Sequence, residues 1–102
     1  MELNQGFHPR DLERGFRGLV MEGARMGIRV NMVAPGAIDP TGISRLTSEQ
    51  IEETGRRIPL GRVGRPAEVA EVLVFLASHR ASYVTGVCLP VDGGVLARSP
   101  FQ

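Results

Sequence analysis

Pro35 and Gly36 interrupt a short apolar stretch and open a loop of small residues, within the sequence GIRVNMVAPGAIDPTG at 27–42. Proline fixes φ, and glycine lets the backbone approach a flat ligand closely. In open α/β sheets, ligands bind in the crevice beyond the carboxyl ends of the strands. The pattern therefore favours either a loop that binds a cofactor or substrate, or a turn that only ends a strand.

Other residues with reactive side chains are few and scattered. Cys88 lies in an apolar stretch and is predicted to be a core residue. His8 and His79 are isolated, and no second ligand lies at metal spacing, so no metal site is predicted. All twelve basic residues are arginine. Any mechanism that needs a lysine amine within these residues is excluded.

The arginines are balanced by acids, and the net charge is +1. We therefore expect no nucleic acid or acidic membrane as a partner. A solvated face is the preferred interpretation of the arginine cluster, and an anion patch is the alternative; glutamates lie near it in the sequence. The single cysteine, the lack of a secretory signal and the lack of a long apolar run predict a cytoplasmic protein. The cluster consists of Arg56, Arg57, Arg62 and Arg65, near Glu49, Glu52, Glu53 and Glu68.

Five elements must position the 35–41 loop, in the order helix, strand, helix, helix, strand. Periodicity predicts the first helix over 10–26, ended by Gly27, and an apolar strand over 28–34. Capping-box spacing predicts a helix over 48–56, and Pro66 begins another over 66–78. The second strand lies within YVTGVCLPV at 83–91. Two strands joined through helices predict a parallel pair, hence an α/β fold.

Several details of packing follow from the same patterns. The near-continuous apolar character of 28–34 is typical of a sheet covered on both faces. The segment VLVFLA at 72–77 is apolar all round, so we expect it to be buried. Pro90 indicates an edge strand or a strand end. Asp92-Gly93-Gly94 predicts a turn, followed by a tail at 95–102.

From about Leu19 to Gly94, the chain resembles the C-terminal third of a short-chain dehydrogenase/reductase. The motifs are MEGARMGIRVNMVAPGAID, IPLGRVGRPAEVAEVLVFLAS and ASYVTGVCLPVDGG. Among branches of that family, it looks most like bacterial 3-oxoacyl-acyl-carrier-protein reductases and glucose or steroid dehydrogenases. The resemblance implies part of a Rossmann-like fold, with strands equivalent to the sixth and seventh of seven. It divides the chain into a divergent segment 1–18, a family segment 19–94 and a tail 95–102.

The resemblance also implies NAD or NADP as the family's cofactor. Pro35, Gly36 and Ala37 then lie beside the nicotinamide ring, and Ile38 bonds the carboxamide through its backbone. Thr41 takes the role of a family threonine whose own position holds Pro40. The segment 39–57 corresponds to the family's substrate lid, with Ile43 and Leu46 facing the pocket. Tyr83 and Asp92 lie in motifs that shape the last strand.

The family's catalytic residues are a Ser and a Tyr-x-x-x-Lys pair. The positions of that Tyr and Lys fall on Gln5 and Pro9, and the glycine-rich dinucleotide loop and the Ser would precede Met1. The expectation is therefore an N-terminally incomplete dehydrogenase/reductase that is inactive by itself. Its parent activity would be carbonyl reduction or alcohol oxidation. The alternative is a non-catalytic module that binds a second copy or a full-length relative through 66–78 and 86–91.

Overall fold

The computed structural model describes residues 9–39 and 46–97 of the 102. The order of helices and strands and the α/β class are confirmed. Short 3-10 helices occupy His79–Ala81 and Val95–Ala97, within the predicted loop and tail. No described helix is long and apolar enough to cross a bilayer. The main elements are α1 (Pro9–Arg25), β1 (Met32–Pro35), α2 (Ser48–Arg56), α3 (Pro66–Ala77) and β2 (Cys88–Val91).

The two strands pair in parallel, as predicted, with Met32 opposite Cys88 and Pro35 opposite Val91. The strand predicted over 28–34 begins four residues late. Its first half lies outside the strand, and there the Ile28 N–H donates to the Gly23 carbonyl at the end of α1, at 2.7 Å. The next contact is similar, because the Val30 N–H donates to the Thr85 hydroxyl at 3.0 Å. The first bond ties Ile28 to the end of α1, and the second ties Val30 to the segment before β2.

The helix termini follow the sequence signals. Gly27 has a φ of 73° after α1, the left-handed conformation that glycine adopts without strain. Thr47 caps α2, accepting from the Gln50 N–H at 3.1 Å while the Gln50 side chain accepts from the Thr47 N–H at 2.8 Å. Pro66 is the first residue of α3. These caps satisfy backbone groups that have no partner inside the helix.

The buried core of the described residues is small. It consists of Ile58, Leu76 and Ala81. The prediction that 72–77 is buried all round is wrong, because Val74 is 66% exposed and Phe75 is 44% exposed. The helix α3 packs on β1 and on the following 3-10 helix, and the described residues provide no second layer over its outer side.

Among the described residues, the sheet is covered on one face only, in contrast to the expectation of cover on both faces. Met32, Ala34, Cys88 and Pro90 share one face by their register, and we call it the open face. Met32 is 40% exposed, and Cys88 is exposed, so its prediction as a core residue is wrong. The opposite face, with Val33, Leu89 and Val91, is half-buried.

Arg29 joins the end of α3 to the segment that leads into β2. Its guanidinium donates to the carbonyl oxygens of Leu76 at 2.7 Å, Ser78 at 3.1 Å and Val84 at 3.2 Å. The neighbouring Asn31 side chain also donates to Val84, at 3.0 Å. A planar fork of donors suits several carbonyls at once. This contact orders the segment after α3 and so fixes where β2 begins.

Candidate functional site

The candidate site lies at the carboxyl end of β1. Pro35 is the last residue of the strand, and the Gly36 N–H continues the ladder by donating to the Val91 carbonyl at 3.0 Å. A Cβ added to Gly36 would lie 2.8 Å from the Cβ of Asp92. The close approach of the loop after β2 therefore requires glycine here. This requirement for glycine comes from the packing of the protein itself and does not depend on a ligand.

Ile38 forms an isolated parallel bridge with Gly64. The Gly64 N–H donates to the Ala37 carbonyl at 2.9 Å, and the Asp39 N–H donates to the Gly64 carbonyl at 2.8 Å. In a parallel bridge, the residue between two such contacts directs its own N–H and C=O to the other side. The backbone amide and carbonyl of Ile38 therefore face away from Gly64.

The connector between α2 and α3, residues 57–65, is bonded to the loops after both strands. Gly64 holds the loop after β1, as described, and the Leu60 N–H donates to the Gly93 carbonyl at 3.1 Å. Gly93 has a φ of 65°, and a Cβ there would lie 2.6 Å from Cγ2 of Ile58. The connector thus fixes the spacing of the two loops.

An ion pair closes the connector on the first turn of α3. The Arg62 guanidinium donates to both carboxylate oxygens of Glu68, each at 2.8 Å. The Arg65 N–H donates to the same carboxylate at 3.0 Å. The hydrogen bond from Arg62, followed by that from the Arg65 backbone, lowers the pKa of Glu68 to about 2. Gly64 lies between Arg62 and Glu68 in the chain. The ion pair therefore restricts the backbone motion of Gly64, which forms the bridge with Ile38.

Beneath these contacts lies a cavity of about 100 Å³. Ligand pockets usually measure about 300–1,000 Å³, so this cavity by itself is smaller than an ordinary ligand pocket. Its lining combines apolar side chains with the Arg62–Glu68 pair. The lining includes Ile38, Ile58, Leu60, Arg62, Glu68 and Asp92.

Four of the five predicted cofactor-binding residues are consecutive at the carboxyl end of β1 and in the loop that follows it: Pro35, Gly36, Ala37 and Ile38. The fifth, Thr41, lies outside the described residues, as do Pro40 and Ile43. Leu46 of the predicted lid is 51% exposed.

The other candidate residues, Asp92 and Tyr83, differ in their contacts. Asp92 shapes the turn after β2, accepting from the Gly94 N–H at 2.9 Å and the Leu96 N–H at 3.1 Å. Tyr83 is fully exposed among the described residues, and the prediction that its motif shapes the last strand stays a prediction. Within 9–39 and 46–97, no three His, Cys, Asp or Glu side chains cluster as metal ligands do.

The arginine cluster is an ion-paired, solvated face, as preferred. Arg56 and Arg57 pair with Glu53 on α2, and Arg62 and Arg65 pair with Glu68. The four arginine side chains are each at least half exposed. The anion-patch alternative loses its support, because acids already partner the arginines.

Sequence reasoning missed the role of Gly64 and of the Glu68 carboxylate. Gly64 lies between α2 and α3, and its φ is not positive, so no turn signal marks it in the sequence. A Cβ there would lie 2.8 Å from Cδ1 of Ile38, which is the end of a flexible side chain, so a small shift of that methyl group would accommodate it. The available signal was the spacing of Arg65 and Glu68, because an acid at the third helical position often accepts from the cap N–H.

Comparison with known proteins gives several concordant matches. The family model described as enoyl-(acyl carrier protein) reductase matches residues 11–96. The uncharacterised oxidoreductase YmfI of Bacillus subtilis is 49% identical over 78 residues, which are 76% of this chain and 32% of that protein. The 3-oxoacyl-[acyl-carrier-protein] reductase FabG of Thermotoga maritima is 49% identical over 73 residues, 72% of this chain and 30% of the reductase.

A solved structure agrees with these sequence matches. Aldohexose dehydrogenase from Thermoplasma acidophilum, in ligand-free form, superposes with a TM-score of 0.76 at 33% identity. The match covers 91% of this chain and 40% of that one. The chain therefore spans about a third of the length of the curated relatives it matches.

Proposed function

The chain belongs to the short-chain dehydrogenase/reductase family, and from this premise we propose that residues 35–41 bind the nicotinamide end of NAD or NADP. The reaction of the whole site would be carbonyl reduction or alcohol oxidation. The relatives' names support this class: they include a reductase of acyl-carrier-protein-linked ketones and a dehydrogenase of aldohexoses. Since these substrates differ widely, we propose the reaction class and no individual substrate.

The observation that carries the proposal is the orientation of Ile38. Its N–H and C=O face away from the bridge with Gly64. A primary carboxamide needs one donor and one acceptor side by side, and a single residue's backbone N–H and C=O provide both. The bridge also fixes this backbone before a ligand arrives, which lowers the entropy lost on binding. The residues present therefore fit the nicotinamide carboxamide.

The cofactor, when bound, supplies hydride transfer to or from carbon. The chain's own residues would orient the nicotinamide ring and confine it. Pro35 and Gly36 bring the backbone to the ring at the end of β1, and Ile38 fixes the ring's rotation through the carboxamide. Thr41 is the proposed hydroxyl donor to the cofactor.

We propose further that these 102 residues do not catalyse the reaction by themselves. The family positions of the proton donor and its lysine partner fall on Gln5 and Pro9, and neither side chain transfers a proton at neutral pH. Loss of a general acid or base alone costs about 10²–10⁴-fold in rate. Measurable oxidation of NADH or NADPH with a carbonyl substrate, dependent on the 35–41 loop, would refute this.

Nucleotide binding is tested by NMR titration of the ¹⁵N-labelled chain with NADH and with NADPH. The expected result is a concentration-dependent shift of the Ile38 and Gly36 amide signals, with the amides of α2 unchanged. Nicotinamide riboside phosphate should shift the same signals, because the proposal concerns the nicotinamide end. Equal shifts across the whole spectrum, or none at Ile38 at millimolar nucleotide, would contradict it.

A second candidate function is favoured by the outer side of α3. Leu73, Val74 and Phe75 are 51%, 66% and 44% exposed. Contiguous exposed apolar side chains favour association. We propose that the chain is a non-catalytic module that self-associates through α3. In the alternative form of this proposal, the module binds a full-length relative through 66–78 and 86–91.

Sedimentation velocity of Val74→Glu tests this second candidate. The substitution should shift the chain to monomer, since a carboxylate buried in an apolar contact is strongly unfavourable. Leu96→Glu is the matched control, because Leu96 is 73% exposed and lies after β2. A monomeric wild type, or equal effects of both variants, would exclude α3 as the contact.

A further inference from the structure

Glu68 lies on the first turn of α3, and its carboxylate binds the connector on both sides of Gly64. The Arg62 side chain, two residues before Gly64, donates to both carboxylate oxygens, each at 2.8 Å. It also donates to the Val63 carbonyl at 3.1 Å. The Arg65 N–H, one residue after Gly64, donates to the carboxylate at 3.0 Å. One side chain thus fastens the backbone before and after Gly64 to a helix.

The backbone of Gly64 depends on such a restraint, because glycine has more conformational freedom than any other residue. Its N–H donates to the Ala37 carbonyl, and its C=O accepts from the Asp39 N–H. These two bonds leave the N–H and C=O of Ile38, the residue between, directed to the other side. The direction in which Ile38 presents its backbone therefore depends on where Gly64 is held.

The Arg62–Glu68 pair is suited to fixing local geometry more than to stabilising the whole fold. The two side chains are 50% and 34% exposed, and exposed ion pairs contribute little to folding stability. Two parallel N–H···O bonds nevertheless fix the relative orientation of a guanidinium and a carboxylate. Loss of the pair should therefore move the connector while the chain stays folded.

The pair also lies at the candidate site itself, because Arg62 and Glu68 line the same cavity as Ala37 and Ile38. We propose that Glu68 is a positioning residue for the nicotinamide carboxamide, acting through Gly64 on the backbone of Ile38. This inference rests on the proposed binding of the nicotinamide end by residues 35–41. Ile38 bonds the carboxamide, and Glu68 determines how well the Ile38 backbone is aligned before the ligand arrives.

The test is an NMR titration of the full ¹⁵N-labelled chain with nicotinamide riboside phosphate, followed at the Ile38 amide. Glu68→Gln keeps an oxygen that accepts from the Arg65 N–H, but it removes the charge that holds the Arg62 guanidinium. We expect a dissociation constant about three- to tenfold higher than that of the wild type, because a backbone left mobile must be ordered on binding.

Two further variants show whether the ion pair is the cause. Glu53→Gln is the matched control, because Glu53 forms an exposed pair with Arg56 on α2, and its dissociation constant should equal that of the wild type. Arg62→Met removes the proposed pair from the other side and leaves the cap at Arg65 intact, so it should reproduce the loss seen with Glu68→Gln. A loss in Glu68→Gln alone would assign the effect to the helix cap and overturn the proposal. If neither variant of the pair folds, the pair stabilises the whole chain, and the proposal also fails.

Pyridine riboside phosphate, which lacks the carboxamide, separates positioning from general support of the loop. Its weaker binding to the wild type should not be weakened further by Glu68→Gln. An equal loss of affinity for both ligands would mean that Glu68 only supports the loop, and this would overturn the proposal.

The same titrations distinguish failure of this inference from failure of the proposed function. If the wild type binds nicotinamide riboside phosphate at Ile38 and Glu68→Gln binds it equally tightly, the role of Glu68 is refuted and the proposed function stands. If the wild type shows no shift at Ile38, or binds both ligands equally, the carboxamide contact is refuted, and the role of Glu68 is refuted with it.

Discussion

The requirement for glycine at position 36 has a cause that the residue pattern alone does not reveal. From the sequence, Gly36 is explained by the approach of a flat ligand to the backbone. The structure adds an internal cause, because the Cα and Cβ of Asp92 occupy the space where a side chain would lie. Since Asp92 is more than fifty residues away in the chain, only the parallel register of β1 and β2 brings the two together.

Gly36→Ala should therefore destabilise the chain before any ligand is considered. The new methyl would lie 2.8 Å from the Asp92 Cβ, and overpacking of this kind costs about 1–3 kcal/mol. The midpoint of urea unfolding, followed by circular dichroism, measures the effect. Gly18→Ala is the control: nothing lies within 4 Å of an added Cβ in α1, so alanine should stabilise by about 0.5–1 kcal/mol. An unchanged midpoint for Gly36→Ala would show that the two loops separate easily.

At the scale of elements, local signals predicted what local interactions determine. The capping box at Thr47, the first-turn proline at Pro66 and the terminating Gly27 are all found as predicted. Burial was not predicted correctly, because it depends on what packs against an element. Apolar composition made 72–77 resemble a buried helix, yet Val74 and Phe75 have no described layer above them.

The connector between α2 and α3 responds to acid through Glu68. Its pKa of about 2 lies below the ordinary 4.5, chiefly because Arg62 bonds the ionised form. A group with a lowered folded-state pKa stabilises fully above its unfolded value and loses that contribution as the pH falls through the folded value. The connector should thus loosen between pH 4.5 and about 2, and exchange at the Asp39 amide should accelerate there beyond its intrinsic rate.

NMR titration of the Glu68 carboxyl carbon gives the midpoint directly. In Arg62→Met, that midpoint should rise towards 4.5, because the largest cause of the lowered pKa is removed. Arg56→Met, whose partner is Glu53 on α2, should leave the Glu68 midpoint where it is. A wild-type midpoint already at 4.5 would mean that the pair does not persist in solution.

At the scale of the whole molecule, the sequence predicted the parallel pair and the loop at its carboxyl end, but not how that loop is held. The strand–loop pattern at Pro35 and Gly36 is local, so it can be recognised in the sequence. The bridge from Ile38 to Gly64 joins segments 26 residues apart, and the contact of Leu60 with Gly93 joins segments 33 apart. Such pairings leave no periodic trace in the sequence, so the connector's role required coordinates.

The small core predicts an unusual heat capacity of unfolding. Unfolding raises the heat capacity in proportion to the apolar surface newly exposed, and an ordinary domain of about 100 residues gains about 1.2–1.5 kcal/mol/K. Here the described residues already expose twelve large apolar side chains and bury three apolar residues. Differential scanning calorimetry of the chain alone should therefore give less than about 1 kcal/mol/K. A value in the ordinary range would mean that the apolar surfaces of α3 and the open face are covered in solution. If the heat-capacity change falls on dilution, self-association covers them. If it does not fall, a rearranged monomer covers them.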